Sequence, residues 1–106
     1  MGGAVLNLVS LARRAGCVDS GDASVRDAID SKRSKLIMIA SDAAERTKKN
    51  FSELARKAGI PVVLYGSRDG FGSVLGKESR AVLAITNDHF AKGIVMAIER
   101  GELLDR

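Results

Sequence analysis

Four large apolar residues, Leu36–Ile39, follow one another between Lys35 and Ala40 without the alternation of a half-exposed strand. A short run of this kind, rich in isoleucine and bounded by polar residues, predicts a strand that is buried on both faces. Such a strand needs helices above and below it, so the run indicates a layered α/β domain. A short polar side chain at Ser41 or Asp42 is expected to cap the helix that follows.

The other apolar positions switch between helical and strand spacing along the chain. Val5, Leu8, Val9 and Ala12 have the i, i+3, i+4, i+7 spacing of an amphipathic helix, which we expect to stop at Gly16. The remaining predicted elements are a brief extended piece at 17–18, a helix from 20 or 21 to 29, a helix from about 43 to 58, a strand at 62–65, a short helix up to 75, a strand at 81–85, and a helix from 86 or 87 to 101. This alternation predicts a sheet between two helix layers.

The size and charge of the chain limit the number of domains and the kinds of partner that it can have. Its 106 residues fit one domain, and 17 basic against 13 acidic residues give a net charge of +4. A pI near 9.6 makes a nucleic-acid partner worth considering. The single cysteine, Cys17, excludes an intrachain disulfide and suits a reducing cytoplasm, and no apolar run approaches the length of a membrane span.

Motifs for catalysis or cofactor binding are absent from the sequence. The glycine-rich stretch from Gly70 to Lys77 has three residues between Gly72 and Gly76 where a phosphate-binding loop has four, and Glu78 replaces its Ser or Thr. We interpret these glycines as turn formers. His89 is the only histidine and is expected at the surface of the last helix, so a metal site is not predicted. Paired carboxylates are also missing, and we expect neither an enzyme nor a cofactor or small-molecule substrate.

Basic residues at loops and helix starts are more informative about function than these motifs. Several of them should gather at one end of the sheet; the set is Arg26, Lys32, Arg33, Lys35, Lys48, Lys49, Lys77 and Arg80. Aromatic residues are few, which argues against a base-stacking platform and favours a compact reader of folded RNA. The alternative, a solvated charged surface, stays open at this point.

The order of several segments resembles the kink-turn RNA-binding family of ribosomal proteins 7Ae and 30e, and most closely its bacterial YlxQ-like branch. The matching segments are LNLVSLARRAG at 6–16, Ser20-Gly21 with the helix after it, KLIMIASD at 35–42, TKK at 47–49, GIPV at 59–62, LGK at 75–77 and AVLAIT at 81–86. The resemblance implies a three-layer α-β-α sandwich around a small, mostly buried mixed sheet, with structured RNA bound at one edge.

The resemblance also assigns site residues. A glycine-rooted helix start, which meets sheared G·A pairs in the family, falls on Gly21, Asp22, Ala23, Ser24 and Asp27. A loop that holds an extruded base falls on Lys77, Glu78, Ser79 and Arg80. We expect Arg26, Lys35 and Lys77 to contact phosphates, which position RNA without reading its sequence. The implied partner is structured RNA, with ribosomal RNA as the candidate, and the chain is expected to act as a monomer away from membranes.

The helix start departs from the family pattern. Kink-turn binders usually carry Asn and Glu at the positions of Ala23 and Ser24, and Lys at the position of Asp27. Ala23 cannot hydrogen-bond a base edge, and Asp27 repels phosphate. We therefore expect RNA binding with weakened kink-turn specificity. Two alternatives remain open: a protein-interaction module that has lost RNA binding, and a small nucleotide-binding or hydrolytic domain.

Overall fold

The computed structural model describes residues 3–104 and the side chains of residues 3–101. Helices and strands alternate in the predicted order. Their bounds are α1 Gly3–Arg14, β1 Val18–Ser20, α2 Asp22–Asp30, β2 Leu36–Ile39, α3 Glu45–Ala58, β3 Val62–Leu64, α4 Arg68–Leu75, β4 Val82–Ile85 and α5 Asp88–Leu104. None of these helices is long and apolar enough to cross a membrane.

The four strands form one mixed sheet in the order β1-β4-β2-β3. β2 and β3 are parallel, whereas β4 is antiparallel to both β1 and β2. The carboxyl ends of β1, β2 and β3 therefore lie at the same end of the sheet as the amino end of β4. We call this end of the sheet the entry end; its residues are Ser20, Ile39, Leu64 and Val82. We call the opposite end of the sheet the exit end.

The helices cover both faces of the sheet in two groups. α1 packs against α5 and α4, while α2 packs against α3. Within these groups, α5 contacts β4, α3 contacts β2, and α2 contacts β1 and β4. The molecule is thus the α-β-α sandwich that the sequence predicts.

Burial of the two central strands confirms the prediction made from the apolar run. All four residues of β2 are fully buried, and so are the residues of β4. Phe51 of α3 and Phe71 of α4 are the largest fully buried side chains among the described residues. β3 lies at the edge of the sheet and is only half-buried, with Leu64 exposed. The core is therefore centred on β2 and β4.

Several helix ends follow the sequence signals, because glycine adopts the left-handed conformation readily. Gly59 and Gly76 end α3 and α4 with φ of 72° and 67°. The Asn87 side chain caps α5 by accepting a hydrogen bond from the Phe90 amide at 3.1 Å. α5 nevertheless continues through Gly101 to Leu104, since Gly101 does not take a positive φ.

The predicted cap of α3 is wrong. Its N-cap is Ala44, which offers no side-chain acceptor. The carboxylate of Asp42 instead accepts a hydrogen bond from the backbone amide of Arg68, at 2.9 Å. Asp42 therefore adds an acceptor to the start of α4, 26 residues further along the chain, where Ser67 is the N-cap and accepts from the Gly70 amide.

Candidate nucleic-acid interface

The amino end of α2 opens at the entry end of the sheet. Gly21 precedes the helix with φ of 91°, a conformation that side chains disfavour, and its amide donates to the Val82 carbonyl at 3.1 Å. Asp22, Ala23 and Ser24 form the exposed first turn. Because Gly21 has no side chain to accept from the first amides of α2, these donors face outward and can meet an anion.

The loop before β4 is fixed on α4. The Lys77 amide donates to the Gly72 carbonyl at 2.8 Å, and the Arg80 amide donates to the Arg68 carbonyl at 3.0 Å. A Cβ placed on Gly72 would lie 2.3 Å from the Glu78 carbonyl oxygen. The loop therefore takes its position because residue 72 has no side chain, and it presents Lys77, Glu78 and Ser79 to solvent.

These two segments meet in one shallow concavity of about 370 Å³. Its lining consists of Ser20, Gly21, Asp22, Ala23, Ser24, Ser79, Arg80 and Ala81. Arg80 joins its two sides, because its Nε donates to the Ser20 hydroxyl at 3.4 Å and its Nη1 donates to the Ser79 carbonyl at 3.1 Å. The structure thus brings together the helix start and the loop that the sequence singled out.

Arg26 and Asp27 lie one turn further along α2, each with its own partner. The Arg26 Nε bonds the Asp22 carboxylate at 2.5 Å, and its guanidinium lies 5.0 Å from the centre of the Phe51 ring. Asp27 lies 3.4 Å from Nη1 of Arg33. The pKa of Arg33 is raised, chiefly by its hydrogen bond to Asp19. Arg26 remains close to half exposed, so its charge is available at the side of the concavity.

Lys35 does not lie with these residues. Its amide donates to the Ile85 carbonyl at 2.7 Å, which places it at the exit end. The reason is strand direction: Lys35 precedes β2, whereas Gly21 follows β1, and β1 and β2 run the same way. The expectation that Lys35 gathers with Lys77 and Arg80 is therefore wrong.

Two structural supports of the site were not identified from the sequence. Gly72 is inside α4, the short helix up to residue 75 that the sequence predicts, and its role is to leave space for the loop rather than to form a turn. The sequence signal that could have pointed to Gly72 is the density of glycines before Lys77. Asp42 and Arg68 tie the start of α4 to the segment after β2, and their side chains also form an ion pair at 3.8 Å. Nothing local in the sequence indicates that contact.

The described part of the chain has few other side chains of the kinds that bind metals or act as nucleophiles. His89 is exposed in the first turn of α5, as predicted. Among residues 3–101, whose side chains the structure describes, there is no group of three or more His, Cys, Asp or Glu that could bind a metal ion. The thiol of Cys17 is half-buried and lies 3.5 Å from the Ala15 carbonyl.

Two curated relatives and two solved structures resemble the chain. It is 33% identical over 92 residues to the RNA-binding protein YlxQ of Bacillus subtilis, covering 87% of this chain and 92% of that protein. It is 31% identical over 94 residues to the RNA-binding protein YlxQ of Enterococcus faecium, covering 89% and 90%. A Bacillus halodurans protein of unknown function superposes with a TM-score of 0.85 and 29% identity over 90% of this chain and 96% of that one. The 15.5kD RNA binding protein of Giardia lamblia shares the fold, with a TM-score of 0.73 and 20% identity over 93% and 85%.

A family model matches nearly the whole described chain. It is the model of the ribosomal protein L7Ae/L30e/S12e/Gadd45 family, and the match covers residues 3–95. Neither this description nor the names of the two curated relatives denotes an enzyme. The match includes the helix start at Gly21 and the loop before β4. The chain belongs to the L7Ae/L30e/S12e/Gadd45 family, in the branch that contains the bacterial YlxQ proteins.

Proposed function

We propose that the chain binds structured RNA at the entry end of its sheet, as a cytoplasmic monomer, with ribosomal RNA as the candidate partner. The observation that carries this proposal is the concavity in which the amino end of α2 meets the loop before β4. The two curated YlxQ relatives are named as RNA-binding proteins, which supports the same function here.

The charge at this end suits a phosphate backbone. Lys77 is exposed on the loop and Arg26 is close to half exposed on α2, so both can contact phosphates. The outward-facing amides of the first turn of α2 add donors of the kind that bind phosphate at helix starts. Asp22 and Glu78 lie among them and limit the attraction, so we expect moderate rather than tight binding of any duplex.

Specificity for a kink turn is weakened by three exposed residues of α2. A kink turn offers guanine O6 and N7 acceptors to this helix start, and each good pair with a donor is worth about 1–3 kcal/mol of discrimination. Ala23 has no donor, Ser24 has only a short hydroxyl, and Asp27 carries a negative charge. Loop and phosphate contacts are left to provide the affinity.

The triple change Ala23→Asn, Ser24→Glu, Asp27→Lys tests this proposal. We expect the unaltered protein to bind a kink-turn RNA little better than a plain duplex of equal length. The variant should prefer the kink turn by roughly tenfold or more, because the Asn amide and the Lys ammonium can donate to guanine acceptors and one such contact is worth about 1–3 kcal/mol. Fluorescence anisotropy with both RNAs and both proteins measures the preference.

Two results would contradict parts of the proposal. Tight kink-turn binding by the unaltered protein would show that Ala23, Ser24 and Asp27 do not limit specificity. No gain from the triple change would place the RNA site elsewhere on the domain. A circular-dichroism melt serves as the folding control, because all three positions are exposed and should tolerate substitution.

A second candidate function is a protein-interaction module that has lost RNA binding. The observation in its favour is that Arg26 is already paired with Asp22, which reduces the charge offered to phosphate. The dependence of binding on salt distinguishes the two functions, because loss of RNA binding removes the release of counterions from the nucleic acid.

A further inference from the structure

A second pocket, of about 890 Å³, lies at the exit end of the sheet, away from the candidate RNA interface. It is formed where α2 and α3 end and where β2, β3 and α5 begin. Lys35, which the sequence suggested for RNA, lines this pocket. We call it the exit-end pocket.

A buried hydroxyl in the wall of the exit-end pocket has no hydrogen-bond partner in the part of the chain that the structure describes. Ser34 is only 6% exposed, and its Oγ makes no hydrogen bond to any of the described residues. Leaving a buried hydroxyl unpaired is unfavourable, and buried polar groups nearly always have partners. Because Ser34 lines the pocket, a polar group of a ligand seated there can supply the missing bond.

Three lysines surround the same pocket. Lys32, Lys35 and Lys57 are all exposed, and none of them has a carboxylate within ion-pair distance among the described residues. Asp30 and Asp88 also line the pocket, so its charged side chains carry a net charge of +1, from three lysines against two aspartates. The lysines can therefore pair with carboxylates or other anionic groups of a ligand.

The apolar lining is aliphatic. Ile29 is nearly buried, Leu54 and Ile60 are half-buried, and Pro61 is exposed. Among the described residues, the lining contains no aromatic side chain and no arginine, which are the groups that stack on nucleobases. An aliphatic side chain fits this wall better than a base does.

We propose that the exit-end pocket binds a short acidic segment of a partner protein that carries aliphatic side chains. The carboxylates pair with Lys35 and Lys57, a leucine-like side chain packs on Leu54 and Ile60, and a polar group of the segment bonds the Ser34 hydroxyl. The proposal does not depend on RNA binding. Together with the entry end, it gives the domain two separate surfaces for two kinds of partner.

The test is a titration of the full-length, ¹⁵N-labelled protein with synthetic peptides at low salt. The probe is an eight-residue, end-blocked peptide that alternates Glu and Leu. One matched peptide replaces every Glu by Gln, and another replaces every Leu by Ser. We expect the Glu-Leu peptide alone to shift the amides of Ser34, Lys35 and Ile60, with a Kd on the order of 0.1–1 mM.

Variants assign the contacts. Lys35→Gln and Lys57→Gln should each weaken the binding by about two- to fivefold, the size of an exposed ion pair. Ser34→Ala should weaken it while leaving the fold intact, because the hydroxyl has no partner to lose. Lys92→Gln is the matched control, since it removes the same charge from an exposed position of α5 outside the pocket.

Several outcomes would overturn the proposal. No shift at 2 mM peptide, or equal shifts with the Gln peptide, would show that the pocket does not select acidic segments. Equal weakening of peptide binding by Lys92→Gln and Lys35→Gln would show that only the overall charge of the protein matters. If an eight-nucleotide single-stranded RNA shifts the amide signals of the pocket more than the peptide does, the exit-end pocket is an RNA-binding site instead.

Discussion

Gly72 sets the position of the loop that carries Lys77, Glu78 and Ser79. The space that a Cβ would need is already filled by backbone atoms, with the Glu78 carbonyl oxygen at 2.3 Å and the Lys77 carbonyl oxygen at 2.9 Å. Backbone cannot rotate away as a flexible side chain does. The loop can therefore keep this position only while residue 72 has no side chain.

Gly72→Ala should displace this loop. The overpacking is expected to cost about 1–3 kcal/mol, against a gain of at most about 1 kcal/mol from the better helix propensity of alanine. We therefore expect lower stability in urea and weaker RNA binding together. Gly93→Ala is the control, because its Cβ would meet only Leu8 at an ordinary 3.6 Å, and it should be neutral or stabilising. Equal behaviour of the two variants would contradict the assigned role of Gly72.

β2 is the element on which the core depends, because it pairs with β3 on one side and β4 on the other and all four of its residues are fully buried. Its continuous apolar run is a strong signal, since a strand with one exposed face would alternate. The edge strand β3 has a similar composition but is half-buried. Composition alone does not separate the two, because position in the sheet depends on strand pairing.

Ile39→Ala should lower the free energy of unfolding by about 2–5 kcal/mol, because it leaves a cavity beside fully buried neighbours. Leu64→Ala is the control on β3, where the side chain is 54% exposed and the loss should be well below that of Ile39→Ala. Urea denaturation monitored by circular dichroism compares them. Similar losses at both positions would mean that the core is not centred on β2.

The start of α4 has a second acceptor, a carboxylate from the segment after β2, beside its N-cap Ser67. Asp42→Ala removes the acceptor of the Arg68 amide and should cost about 0.5–1.5 kcal/mol, the net value of one hydrogen bond, because Ser67 still caps the helix. Asp42→Asn keeps an acceptor and should cost less. Asp69→Ala removes the same charge from the first turn of α4 without removing that acceptor. Equal thermal shifts for Asp42→Ala and Asp69→Ala would show that charge, not the hydrogen bond, is what matters.

The order and type of the elements were predictable because most have their own periodic pattern and start or stop signals, such as Asn87 before α5 and Gly59 after α3. The hydrogen bond that Asp42 accepts was not, because its partner lies 26 residues away. Strand direction explains the error at Lys35: a residue before β2 and a residue after β1 lie at opposite ends of parallel-running strands. The pairing of the α2 start with the loop before β4 came from family resemblance, and no local pattern predicts it.

The lysines assigned to the two surfaces, Lys77 and Lys35, lie at opposite ends of the sheet, and this separation is measurable with salt. If RNA contacts about four to six phosphates at the entry end, log K should fall with log salt at a slope of about −4 to −5. Lys77→Ala should flatten the slope by about one. Lys35→Ala removes the same charge at the exit end and should leave the slope unchanged. A slope near zero for the unaltered protein would favour the protein-interaction module.

The common direction of β1, β2 and β3 also has a kinetic consequence. Because α2, α3 and α4 each follow the carboxyl end of one of these strands, all three start at the entry end. Each helix start carries a partial positive charge. Three of them at one end give the molecule a dipole, which orients it in the field of a polyanion. An approaching RNA should therefore meet the entry end first more often than chance allows. The gain would appear in the association rate constant at low ionic strength rather than in the lifetime of the complex.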